Sequence, residues 1–138
     1  MSTLTHAGYG IEFFTLSPLD ELVSSLKEAF QMEGFGVLCE IDVEATMKAK
    51  LGVDIGTYKI FGLCNPHLAA NGIEMEPNIG LLLPCNVLVR REGEGFLVAA
   101  QDPETIMDVV KNRKLVTISE EARCKIDRAM DALQDSLA

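Results

Sequence analysis

The sequence predicts an α+β domain: an antiparallel sheet with its two main helices packed on one face. Short runs of alternating apolar residues recur through the middle of the chain, and an apolar stripe at helical spacing lies near each end. Turn residues separate the runs, so successive strands follow one another by hairpins or short connections, as antiparallel sheets require. The 138 residues fit one domain, residues 1–138, and a chain of this length buries roughly two thirds of its surface on folding.

The elements follow in order. Tyr9, Ile11 and Phe13 alternate with Gly10, Glu12 and Phe14, the period of a first strand. Ser17 and Pro18 read as an N-cap and a first-turn proline. Leu19, Leu22, Val23, Leu26, Ala29 and Phe30 then make one face of a helix from Pro18 to about Gln31. Gly34 and Gly36 end it and open a strand in which Val37, Cys39 and Ile41 share a face, with Cys39 in the core. Asp42 caps a short helix, Val43 to Leu51, that Gly52 stops. Thr57 to Cys64 is a strand, and Asn65-Pro66 caps and starts another short helix, ended by Asn71-Gly72. Cys85, Val87 and Val89 share a face of the next strand. Glu92 to Gly95 turns the chain, and Phe96, Val98 and Ala100 return it. Asp102-Pro103 caps a helix with Ile106, Met107 and Val110. Thr117 to Glu120 has capping-box spacing, and Ala122, Ile126, Ala129, Met130, Leu133 and Leu137 form the stripe of the last helix. Cys124 falls on the opposite side of that stripe.

The second face of the sheet also carries apolar residues. Phe14, Leu38, Leu88 and Leu97 alternate with the core set, and Phe61 and Leu63 lie opposite Tyr58, Ile60 and Gly62. Such a face is covered by a second subunit or a ligand, or else by the short helices after Asp42 and Asn65. Self-association as a dimer is the expectation that follows from the first.

The formal charge of −9 repels phosphate backbones and anionic membrane surfaces, so neither nucleic acid nor membrane is expected as a partner. The segment from Met1 to Ala7 has no basic stretch followed by an apolar run, and apolar runs such as Ile79 to Leu83 are far too short to span a bilayer. A cytoplasmic location is expected, where the four cysteines stay reduced.

Cys64-Asn65-Pro66, followed by Gly80-Leu81-Leu82-Leu83-Pro84-Cys85-Asn86-Val87, resembles the signature of the domain-of-unknown-function 302 family. The likeness is good from about Phe35 to Ala100 and looser at the flanks. It implies a β-α-β(4)-α fold related in architecture to the TATA-binding protein, which is the order of main elements read above, here with short extra helices. It implies no assigned activity, and only an association with sulfur-handling genes. Kinship in fold with a DNA-binding protein does not carry its function over.

The candidate site is Cys64, Asn65, Pro84, Cys85 and Asn86. Pro84 lacks an N–H donor, so the strand entry there is irregular and can present Cys85. Cys85 is then a thiol that binds a ligand, carries sulfur or senses oxidation, and the candidate nucleophile if the chain is an enzyme. The plain alternative is a small buried hydrophobe beside Val87 and Val89. Arg90, Arg91 and Lys59 are the nearest cations, and no dedicated base is evident. Asn65 and Asn86 either donate to a bound carbonyl or anion or cap turns. Cys64, His67 and Cys85 are the set from which a zinc or copper site would be built. Paired Cys-x-x-Cys knuckles are absent, however, and neither metal nor cofactor is expected. His6 is expected on a mobile terminus. The function expected is a homo-oligomeric module that binds a small ligand or sulfur species. The alternatives are persulfide transfer through Cys85 and a purely structural or interaction role.

Overall fold

The structure, a computed structural model, describes residues 3–138, so Met1 and Ser2 of the N-terminal segment lie outside the described residues. The strands are β1 (Thr5–Ala7), β2 (Gly10–Thr15), β3 (Gly36–Asp42), β4 (Tyr58–Cys64), β5 (Cys85–Glu92) and β6 (Gly95–Gln101). The helices are α1 (Leu19–Met32), α2 (Val43–Leu51), α3 (Pro66–Met75), α4 (Ile106–Val109) and α5 (Val116–Ser136), with 3₁₀ turns at Pro77–Leu82, Pro103–Thr105 and Arg113–Leu115. All six strands form one antiparallel sheet in the order β1-β2-β6-β5-β4-β3. The β-α-β(4)-α order is present from β2 to α5, and β1 extends it as a short edge hairpin.

α1 and α5 pack on each other and on one face of the sheet. Leu22, Leu26, Ala29 and Phe30 of α1 and Ala122, Ile126, Ala129, Met130 and Leu133 of α5 are buried, as their spacing predicts. All of these but Ala122 meet Ile11, Phe13, Val87, Val89, Phe96, Val98 and Ala100 from alternate strand positions. Each large side chain withdrawn from water stabilises the fold by about 1.5–3 kcal/mol. Phe30 and Phe35 meet edge-on, with ring centres 5.8 Å apart.

Several local expectations are corrected. Pro18, not Ser17, occupies the N-cap of α1, and the Ser17 hydroxyl instead donates to Glu21. The capping box at Thr117 does not form, because α5 begins at Val116 as a continuation of the preceding 3₁₀ turn, which Asn112 caps through Lys114 N–H at 3.1 Å. Tyr9 is 80% exposed in the β1–β2 turn rather than in a strand. His6 lies on β1, with Nε2 3.0 Å from Asp127 Oδ1 on α5. Cys39 is exposed: β3 is the outer strand, every residue of it is exposed, and a register shift between Val37 and Cys39 breaks its alternation.

The largest correction is the phase of β4. Phe61 and Leu63 lie on the helix-covered face, opposite Val87 and Cys85, and are 0% and 1% exposed. Tyr58 and Ile60 take the other face. That second face stays open. Phe14 and Ile41 are each 47% exposed, and α2 buries no residue. Short helices of the same chain therefore do not seal it.

Candidate functional site

The two signature segments meet at one end of the sheet. Register places Leu63 opposite Cys85, so Cys64 and Cys85 end and begin adjacent strands at the same edge of the core. Asn65 follows at once and is buried, with Oδ1 accepting the Leu68 N–H at 3.3 Å to cap α3. Its Nδ2 donates to the Glu33 carbonyl at 3.2 Å, which fastens the start of α3 to the end of α1. At the other end of α3, Asn112 Nδ2 donates to the Met75 carbonyl at 3.0 Å and to Glu76 Oε1 at 3.1 Å. The Leu83–Pro84 peptide is cis, and Pro84 lies over Gly62 together with Cys39. A Cβ at Gly62 would stand 2.6 Å from Cys39 Sγ and 2.8 Å from Pro84 Cγ, so only glycine allows this approach.

Between these segments and α5 is a cavity of about 340 Å³. The ends of β4 and β5 contribute Leu63, Cys64 and Cys85 to its wall. α3 contributes Leu68, Ala69, Gly72 and Ile73, and α5 contributes Ile118, Ser119 and Ala122. Ile79, Leu83, Pro84, Pro103, Ile106 and Leu115 fill the gaps, with Phe35 just before β3 and Leu38 within it. Leu38, expected on the second face of the sheet, instead lines the cavity, because it sits at the register shift between Val37 and Cys39. No charged side chain lines it. Both ends of the Asn65 amide are already hydrogen-bonded, and the Ser119 hydroxyl donates to the Val116 carbonyl at 2.9 Å. Among the polar groups of the wall, only the two thiols have no such partner.

Of the predicted site residues, Cys64, Asn65, Pro84 and Cys85 thus border one cavity. Asn86 does not: it is exposed, and its backbone N–H donates to Gln101 Oε1 at 3.3 Å. His67 is exposed on the first turn of α3. Among the described residues no group of three or more His, Cys, Asp or Glu is placed to hold a metal, so Cys64, His67 and Cys85 do not form one. No helix among the described residues is long and apolar enough to cross a membrane. The α5 wall and Gly72 escaped the sequence reading. The signal for Gly72 was there, but Asn71-Gly72 reads as a stop, whereas α3 runs on through it to Met75.

The family described as domain of unknown function DUF302 matches residues 13–133. The chain belongs to the DUF302 family. The matched span contains every residue of the cavity wall and extends well beyond the resemblance read from Phe35 to Ala100. Among solved structures, the uncharacterized conserved protein DUF302 from Bacillus stearothermophilus is similar over 92% of this chain and 99% of its own, with a TM-score of 0.85 and 23% sequence identity. That likeness is one of fold. Comparison with curated proteins found no match.

The DUF302 cavity sets the chemistry of Cys85. Burial pushes its thiol up from the ordinary 9.0 to about 11, and the neighbouring charge of ionised Cys64 pushes the same way. At neutral pH Cys85 is a protonated thiol, a weak hydrogen-bond donor with a soft, polarisable surface. The three cations nearest in the strand pattern, of which Arg90 and Arg91 lie well along the strand from Cys85, are engaged elsewhere. Arg90 pairs with Glu92, Arg91 lies 4.2 Å from the Phe96 ring centre, and Lys59 is 3.4 Å from Glu40.

Proposed function

We propose that this DUF302 chain is a binding module whose cavity takes a small, uncharged, mainly apolar molecule. The observation that carries this is the cavity: about 340 Å³ beside hydrocarbon walls with no charged lining residue. Small-molecule sites commonly measure about 300–1,000 Å³ and are mostly apolar, with few polar groups. A carboxylate, a phosphate or an anionic sulfur species would lose its hydration there and meet no cation. A neutral ring, thioether or disulfide would lose little, and soft groups gain from contact with Cys64 and Cys85. Persulfide transfer through Cys85 needs a thiolate, which burial disfavours.

Titration with the uncharged dye N-phenyl-1-naphthylamine is expected to saturate at one dye per chain. The anionic dye 8-anilinonaphthalene-1-sulfonate is expected to bind at least tenfold more weakly. Equal affinity for the two dyes, or no saturable binding, would count against the reading.

We propose also that two copies of the chain meet through the open face of the sheet. Phe14 and Ile41 are half-exposed there, with Leu88, Leu97 and Ile60 between them. Arg90 and Glu92 of the same face pair with each other, which leaves Glu12 as the remaining charge among the described strand residues of that face. Two chains that each carry −9 repel least where their charges cancel locally. A second copy therefore fits this face better than a strongly charged partner does. Native mass spectrometry is expected to give twice the chain mass, reverting to one chain on Leu97→Glu. A parent chain that stays monomeric at tens of micromolar would remove the proposal.

A further inference from the structure

We infer that Gly72 sets the size limit of the ligand: it keeps open a recess in which an uncharged, ring-sized group packs on the backbone of α3. This rests on the binding reading above.

A glycine inside a helix usually has a structural cause, and here three such causes fail. Gly72 is not a helix stop, because α3 continues through it to Met75. It is not held at a positive φ, a state confined among the described residues to Gly8, Gly34, Gly52, Gly56 and Gly93. Nor does a close neighbour require it. No atom lies within 4 Å of where its Cβ would stand, its own helix backbone and chain neighbours aside. The contrast with Gly62 is direct, since a Cβ there would strike Cys39 and Pro84.

Open space beside an exposed glycine is only solvent. Gly72, however, is buried, and it borders the cavity. The space in front of its Cα is therefore part of the hollow. Alanine at this position would be the better helix former and would meet no obstacle, so the chain forgoes stability that is freely available. Positions that break a local rule without a packing reason are those where function is expected. Bare backbone permits the closest approach of a ligand. With no charged group in the wall, a flat, neutral ring is the group that suits it.

The test uses the full chain with Gly72→Ala and Gly72→Leu, each titrated with N-phenyl-1-naphthylamine and with the smaller neutral ring compound indole. Gly72→Ala is expected to raise the melting temperature by roughly 3–6 °C. It should keep indole binding while weakening the larger dye. Gly72→Leu is expected to lose the dye by at least tenfold. Should the leucine variant fail to fold, the alanine variant still supplies both readouts. Parent-like dye affinity in the folded variants would overturn the inference, as would a lower melting temperature for Gly72→Ala. Those results leave the binding reading standing. A parent chain that binds neither compound removes both.

Discussion

Phe61→Ala is expected to destabilise the protein by about 3–5 kcal/mol, the cost of deleting a fully enclosed aromatic side chain and leaving a cavity. Phe61 is 0% exposed and faces Val87 across the β4–β5 ladder, beneath the helices. Its sequence neighbour Ile60 lies on the open face and is only half-buried, so Ile60→Ala is expected to cost much less, about 1 kcal/mol. Urea unfolding of both variants at one protein concentration measures the difference through the shift in midpoint. A larger loss for Ile60 than for Phe61 would mean that β4 is paired in the other phase, with its apolar sets exchanged between the faces.

The second large effect is in the pH behaviour of Cys85. Its alkylation by iodoacetamide, followed site by site by peptide mass mapping, is expected to keep accelerating past pH 10. A free thiol levels off nearer 9. The shift to about 11 lowers the thiolate fraction at neutral pH about a hundredfold. The greater nucleophilicity of a more basic thiolate returns part of this, and burial removes access. An inflection at or below the ordinary value would overturn the assignment of Cys85 as a protonated wall residue and revive the nucleophile. Stability follows the same linkage. Below pH 9 both folded and unfolded chains hold the proton, and the thiol imposes no pH dependence. Between 9.0 and about 11 the unfolded chain releases it while the folded chain keeps it, so stability falls by about 1.4 kcal/mol per pH unit from this group. Cys85→Ala is expected to flatten that alkaline slope relative to the parent.

Much of the fold is legible in the residues. Period-two and helical patterns place Ile11 and Phe13, Leu22 to Phe30, and Ala122 to Leu133 in the core where the structure has them. Asp42, Asn65 and Asp102, each read as a cap, each accept a backbone N–H. Where the pattern is double, the reading fails. β4 carries apolar residues at both phases, and only pairing with β5 decides which set is buried. Cys39 alternates as a core residue would, but alternation does not reveal that its strand is the last in the sheet. The cavity was half legible. Cys64, Asn65, Pro84 and Cys85 stand out as a motif, whereas Ser119 and Ala122 join them only because α5 returns across the end of the sheet. No local spacing records a contact between segments so far apart in the chain.

Amide side chains hold both ends of α3, Asn65 to Glu33 at its start and Asn112 to Met75 and Glu76 at its finish. A rod tied at each tip resists tilting. In the proposed binding module its underside would act as a fixed gauge: a guest of the right outline would enter without first having to order the host, and a bulkier one would be refused rather than accommodated.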